Sequence, residues 1–303
     1  MESPILPSFF LIIHPGALGD VLQAVPALRV LRANAPGARV VFAGQPRLGR
    51  LLVTLGAIDE ARDFDGLGLE ALFTDAPVPP ALADFLGGFA RVVSWFGARE
   101  PDYRARLGAV ARDLVIARPV PDGDTPVWRH LVATLADAAH VDAAATRPLT
   151  IEAAAGDRRA LLVHAGSGGA WKRWPPERFA EVIEAAVRAT GVPVLLHQGP
   201  ADRDAVDALA TALSAPVERL VEPPLPALAA ALAGARAYLG GDSGVSHLAA
   251  AVGAPSVILF PPAHLPRWTP WSPTARPIAA SGGPDEVRLV TRTLEDALTA
   301  ASR

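Results

Sequence analysis

The stretch from Phe9 to Ala43 constrains the fold more tightly than any other part of the chain. Phe9 to Ile13 is a continuous apolar run, the pattern of a strand covered on both faces. HPGALGD follows, and then Leu22, Val25, Leu28 and Leu31 recur at helical spacing until Ala35-Pro36-Gly37 breaks the pattern. A second strand, Val40 to Ala43, comes directly after. Strand, glycine-containing turn, helix and strand in about 35 residues make a βαβ unit, which implies parallel strands. The apolar runs Arg91–Trp95 and Leu114–Ala117 extend this first sheet, while residues 65–90 and 97–112 show no clear period.

The chain turns Ala-, Thr- and Asp-rich around residues 142–158, with Pro148 and Gly156, and the α/β pattern then restarts. Leu161–His164 reads as a strand; Phe179, Val182, Ile183, Ala186 and Val187 mark a helix introduced by Pro175-Pro176. Strands at Val192–His197, Arg236–Leu239 and Ser256–Phe260 alternate with helices marked by Leu225, Leu228, Leu232 and by Val245, Leu248, Ala249, Val252. A total of 303 residues exceeds a comfortable single core. The expected architecture is α/β: two Rossmann-like α/β/α domains, residues 1–148 and 149–303. A terminal helix at about residues 286–301, carrying Val287, Val290, Leu294 and Leu298, is expected to pack back on the first domain.

Composition removes several function classes. Half the residues are apolar and 19% are charged, enough to bury a core and too little charge for disorder. Residues 1–150 carry 14 basic and 16 acidic side chains and the remainder 14 and 15, so neither half offers nucleic acid a basic footprint. Zero cysteines exclude disulfides, thiolate metal sites and a cysteine nucleophile. Residues 5–13 are too short to span a bilayer, and the uncharged run Gly244–Pro266 is broken by glycine and prolines. A soluble, cytoplasmic protein is expected. Among 28 basic side chains, only Lys172 is a lysine.

In parallel sheets ligands bind beyond the carboxyl ends of the strands, where glycines admit a phosphate and helix N-termini favour anions. Three loops qualify: HPGALGD, HAGSGGAWKRWP and GGDSGVSH. Neither GxGxxG with a following acidic residue nor GxxxxGK[ST] is present, which weakens dehydrogenase and kinase readings. GDSG at Gly241–Gly244 resembles the nucleophile segment of trypsin-like proteases but opens a helix in an α/β chain, the wrong context. Asp122-Gly123-Asp124 is formally DxD, a spacing that holds a divalent ion in some sugar transferases; its place between prolines favours an exposed turn instead. The seven histidines show no HxxxH pairing, and no metal is expected.

Taken in order and spacing, the three loops resemble the glycosyltransferase family typified by ADP-heptose:lipopolysaccharide heptosyltransferases. The matching stretches are LIIHPGALGDVLQAVPALRVLRANAPGARV, LLVHAGSGGAWKRWPPERFAEVI and GGDSGVSHLAAAVGAPSVILFPP. The resemblance implies a GT-B fold, its two domains facing each other across a cleft, the first binding the acceptor and the second a nucleotide sugar. It implies an inverting, metal-independent transfer, without cofactor, from ADP-heptose to a lipopolysaccharide-type or other glycan or glycolipid acceptor. Peripheral contact with the cytoplasmic face of the inner membrane would follow.

Asp20, after Gly19, then matches the general base, a role suited to a carboxylate at a helix N-terminus; the bland alternative is a plain N-cap. Lys172 matches the lysine that neutralises the leaving diphosphate, the alternative being a solvated surface lysine. Gly166, Ser167 and Gly168 either present N–H groups and a hydroxyl to the phosphates or make a tight turn. Asp242, Ser243, Gly244 and His247 match the donor site, with Ser243 where the family has Thr, and Asp202 falls near a ribose-binding acid; His247 reads otherwise as a satisfied core histidine. The family's Asp-x-Gln-Gly stretch is replaced by VVSWFGAREPDYRARLG, and its FGPT-like turn reads FPPA. Arg47, Arg50, Arg99, Arg104 and Arg106 are candidates for an acidic acceptor or members of solvated helix faces. Two other readings stay open: a nucleotide-sugar epimerase of the same architecture and a non-catalytic nucleotide-binding relative.

Overall fold

A computed structural model describes residues 8–135, 144–152 and 160–300. The chain divides into two compact units, Met1–Ala145 and Thr146–Arg303. In the first, β1 (Phe9–Ile13), β2 (Arg39–Gly44), β3 (Glu60–Asp63), β4 (Arg91–Ser94) and β5 (Leu114–Ile116) form a sheet ordered β3-β2-β1-β4-β5. All its pairings are parallel, with Leu11 opposite both Val41 and Val92. The helices are α1 (Leu18–Gln23), α2 (Val25–Asn34), α3 (Pro46–Thr54), α4 (Pro80–Gly87), α5 (Pro101–Val110) and α6 (Val127–Ala133). The single helix expected from Leu22, Val25, Leu28 and Leu31 is thus two, α1 and α2, meeting at Ala24. Pro26 has no N–H to offer the preceding turn, so the ladder breaks there while the apolar stripe continues.

In the second unit β6 (Leu161–His164), β7 (Val194–Gln198), β8 (Glu218–Val221), β9 (Ala237–Gly241), β10 (Ser256–Phe260) and β11 (Ala275–Ala279) are ordered β11-β10-β9-β6-β7-β8, again all parallel. Around them run α7 (Pro176–Thr190), α8 (Arg203–Ala212), α9 (Leu225–Ala233), α10 (Gly244–Ala251), α11 (Leu265–Trp268) and α12 (Glu286–Ala300). Both sheets follow doubly wound order. The strand order reverses between β1 and β4 and between β6 and β9, and a crevice opens at such a point beyond the carboxyl ends of the strands.

The central strands are mostly apolar because helices cover both faces, with polar residues such as Ser94, His164 and Gln198 at their carboxyl ends. In the second unit Leu161, Val163, Leu239, Val257 and Leu259 meet Phe179, Val182 and Ile183 of α7. Each fully buried side chain of this kind contributes about 2 kcal/mol. The strands β3, β8 and β11 were not legible in sequence: as edges they are short and half exposed, so EARD and ERLV carry no apolar run. Val290, Leu294 and Leu298 of α12 enter the core of the second unit beside α7. Among the described residues no helix is long and apolar enough to cross a membrane.

The start of α12 is fixed by a buried carboxylate. Glu286 accepts from Trp174 Nε1 (2.5 Å) and Arg178 Nη1 (3.0 Å), and from the backbone N–H groups of Ser281 (2.6 Å) and Gly282 (3.0 Å). Glu286→Ala leaves an indole, a guanidinium and two amides without their acceptor. It should cost about 3 kcal/mol in urea denaturation, with Glu286→Gln costing less.

Candidate active site

In the first unit the loop after β1 turns back sharply at Gly16. A Cβ at that position would lie 2.7 Å from His14 Cε1 and 2.9 Å from Asp20 Cβ, so only glycine fits. Gly19 and Asp20 lie in the first turn of α1, and Asp20 is not its N-cap; Ala17 is. Asp20 instead reaches back, its Oδ2 accepting from Ala17 N–H at 3.0 Å. His14 is buried beside it, and burial lowers its pKa to about 4. Its Nδ1 accepts from Gly16 N–H at 3.4 Å, so the neutral ring carries its proton on Nε2.

Asp20 and His14 line a cavity of about 650 Å³ with Phe73, Trp95, Phe96, Arg99 and Arg118. Of the arginines singled out in sequence, only Arg99 lines it. Arg104 and Arg106 donate to the carbonyls of Ala98 and Ala76, Arg47 donates to Gln45, and Arg50 is exposed on α3. Arg118 escaped notice because it stands alone after β5. It pairs with Asp122, whose carboxyl that hydrogen bond holds below the usual range; Asp122 is exposed. Among the described residues no three His, Asp or Glu side chains group as metal ligands do.

In the second unit the loops after four adjacent strands, β10, β9, β6 and β7, carry the remaining candidates. Asp242, directly after β9, is buried, and its Oδ2 lies 3.2 Å from Lys172 Nζ and 2.8 Å from His264 Nδ1. Lys172 ends the 3₁₀ turn Ala170–Lys172 that follows β6. A lysine held against a buried carboxylate is not a solvated surface residue. Ser243 is the N-cap of α10, accepting from Ser246 N–H at 3.3 Å, and Gly244 is that helix's first residue. The turn is pinned from beneath by buried hydroxyls: Tyr238 Oη bonds Ser246 Oγ (2.8 Å), which donates to Gly241 O (2.5 Å). His247 is buried one turn along, its ring edge-on to Phe260 and Trp268; burial lowers its pKa to about 4, against the pull of Asp242.

Gly166 lets another carboxylate approach the backbone: a Cβ there would lie 2.1 Å from Asp202 Oδ1. Asp202 is the N-cap residue of α8 and accepts from Gly199 N–H at 3.2 Å. Ser167 Oγ donates to Gly169 O at 2.6 Å, which makes it a turn former here, and Gly168 faces open space. Beneath them His164 and His197 share a hydrogen bond between Nδ1 atoms at 3.0 Å, with His164 Nε2 4.0 Å from Asp202. Burial lowers both rings to about 4. Sequence spacing could not reveal this pair, since β6 and β7 bring together residues from different strands. His264 also went unread, although it directly follows the FPPA turn that departs from the family pattern.

His14, His164, His197 and His247 are all held from about 6.5 down to about 4. Between those values the unfolded imidazoles bind protons and the folded ones do not, so stability is full above pH 6.5 and falls as the pH drops. The melting temperature should fall by roughly 5 °C or more between pH 7 and pH 5. A flat profile in a thermal scan would contradict the burial of these rings.

A family model described as glycosyltransferase family 9 (heptosyltransferase) matches residues 71–292, starting beyond the Asp20 loop. A family 9 glycosyl transferase from Veillonella parvula superposes with a TM-score of 0.77 at 19% identity, covering 97% of each chain. The ADP-heptose lps heptosyltransferase II of E. coli gives 0.74 at 19% identity, over 97% of this chain and 99% of that one. E. coli heptosyltransferase WaaC with ADP gives 0.69 at 18% identity, over 95% and 99%. No curated protein sequence matches.

Proposed function

The chain belongs to glycosyltransferase family 9, the family of the heptosyltransferases, and on that premise we propose that it transfers a heptose from ADP-heptose to a glycan or glycolipid acceptor, with inversion and without a metal. The observation that carries this reading is the placement of the chain's one lysine. Lys172 stands at the crevice between β6 and β9, on the buried Asp242 that leads into α10. Fixed positive charge and a helix N-terminus there suit a diphosphate whose charge grows as the glycosidic bond breaks.

The reaction is a single displacement. The acceptor hydroxyl gives its proton to the Asp20 carboxylate while its oxygen attacks the anomeric carbon. The bond from that carbon to the diphosphate oxygen breaks on the opposite face, and ADP departs with the electron pair. Asp242 holds Lys172 in place until the diphosphate arrives, Gly166 and Ser243 bring backbone N–H groups close, and Asp202 takes the ribose hydroxyls. The cavity beside Asp20 offers aromatic walls for sugar rings and Arg99 and Arg118 for acidic substituents, which supports its use as the acceptor site. The reading places the enzyme in the cytoplasm, meeting a glycolipid acceptor by peripheral contact.

Asp20→Asn should lower kcat by roughly a hundredfold or more while leaving the Kd for ADP within about twofold. Equal turnover in wild type and variant would remove Asp20 as the base. Lys172→Ala should weaken ADP binding roughly tenfold and lower kcat as well. Addition of EDTA should leave the initial rate unchanged, and titration should rank ADP above UDP and GDP.

A further inference from the structure

Among the described residues the exposed large hydrophobics are Val53, Phe73, Trp171, Val221 and Leu289. Single exposed apolar side chains are ordinary, but the two aromatic ones both stand beside site residues described above. Phe73 lines the cavity of Asp20, and Trp171 precedes Lys172. The indole of Trp171 is 68% exposed. It is nonetheless held in place. Lys172 Nζ lies 5.7 Å from the ring centroid, and the His264 ring stands edge-on at 5.1 Å. Gly169 leaves room for it, since a Cβ there would come within 3.0 Å of the indole nitrogen.

The strand order gives this cluster a direction. His264 follows β10, Asp242 follows β9, Lys172 follows β6 and Asp202 follows β7, and these strands are neighbours in that order. A nucleotide sugar with its diphosphate on Lys172 and its ribose on Asp202 extends its sugar toward the β9–β10 side. There it meets an aromatic face flanked by a carboxylate and an imidazole, Asp242 and His264. That is the chemistry of a sugar ring: C–H groups pack on the π face while edge hydroxyls bond to the polar neighbours. From this placement, and resting on the donor reading above, we infer that Trp171 is a specificity-determining residue that packs on the sugar being transferred. His264 positions the indole and engages the same ring.

The test compares a ligand that has the sugar with one that lacks it. ADP and ADP-2-deoxy-2-fluoro heptose are titrated calorimetrically into the wild type, Trp171→Ala and Trp171→Phe. An aromatic contact of this kind is worth up to about tenfold in affinity. Trp171→Ala should bind the sugar nucleotide about tenfold more weakly and ADP within twofold, with an unchanged melting temperature; Trp171→Phe should recover most of the loss. Equal weakening toward both ligands would overturn the inference in favour of a contact to the nucleoside, and no weakening would overturn it outright. Wild-type protein that fails to bind ADP would instead overturn the donor reading itself, and the Trp171 inference with it.

Discussion

The arrangement of the second unit turns on one buried negative charge. An ionised carboxylate placed in a protein interior is costly unless it is paired and hydrogen-bonded. Asp242 meets that condition through Lys172 on one side and His264 on the other. Asp242 and its two partners come from loops after three different strands, so satisfying this one charge draws the β6, β9 and β10 loops together. On the donor reading proposed above, the same pairing stores a cation for which an incoming diphosphate would compete. Lysine suits this exchange, being a compact charge on a flexible stem that can be handed from one oxygen to another.

The first unit solves the related problem of presenting a carboxylate with backbone groups. Asp20 takes the amide of Ala17 at the start of α1, and Gly16 folds the loop tightly enough to bring His14 alongside. His14 remains neutral because burial lowers its pKa to about 4, so it adds no positive charge beside Asp20. Each unit therefore places its polar chemistry at the strand-order reversal of a parallel sheet. There the diverging crossovers leave backbone groups and loop side chains accessible, while the strands beneath are mostly apolar. The aromatic residues Phe73 and Trp171 supply ring-shaped surface at these two places, next to the charged groups.

Much of this was legible before any coordinates. Continuous apolar runs mark the central strands because those strands are covered on both faces, and the helical period of Phe179 to Val187 marks α7. Asp20, Lys172 and Asp242 stood out through glycine-rich loops directly after such strands. The edge strands β3, β8 and β11 did not, since one open side relaxes the pressure for an apolar run, although the edge strand β5 keeps one in Leu114–Ile116. The division of the Leu22–Leu31 helix was hidden because the stripe survives a break that a proline makes only in the backbone ladder.

The sequence by itself determined the doubly wound architecture, the loops that bear polar chemistry and the family, because periodicity, glycine placement and loop spacing are local properties that a linear chain records. Tertiary structure alone decided which side chains meet. The pairing of His164 with His197, the seating of His264 on Asp242, the use of Arg118 rather than Arg104 or Arg106 at the cavity and the burial of α12 in the second unit all join residues distant in sequence. Their contacts follow from strand order and crossover packing, which bring together loops whose order along the chain says nothing of their distance in space.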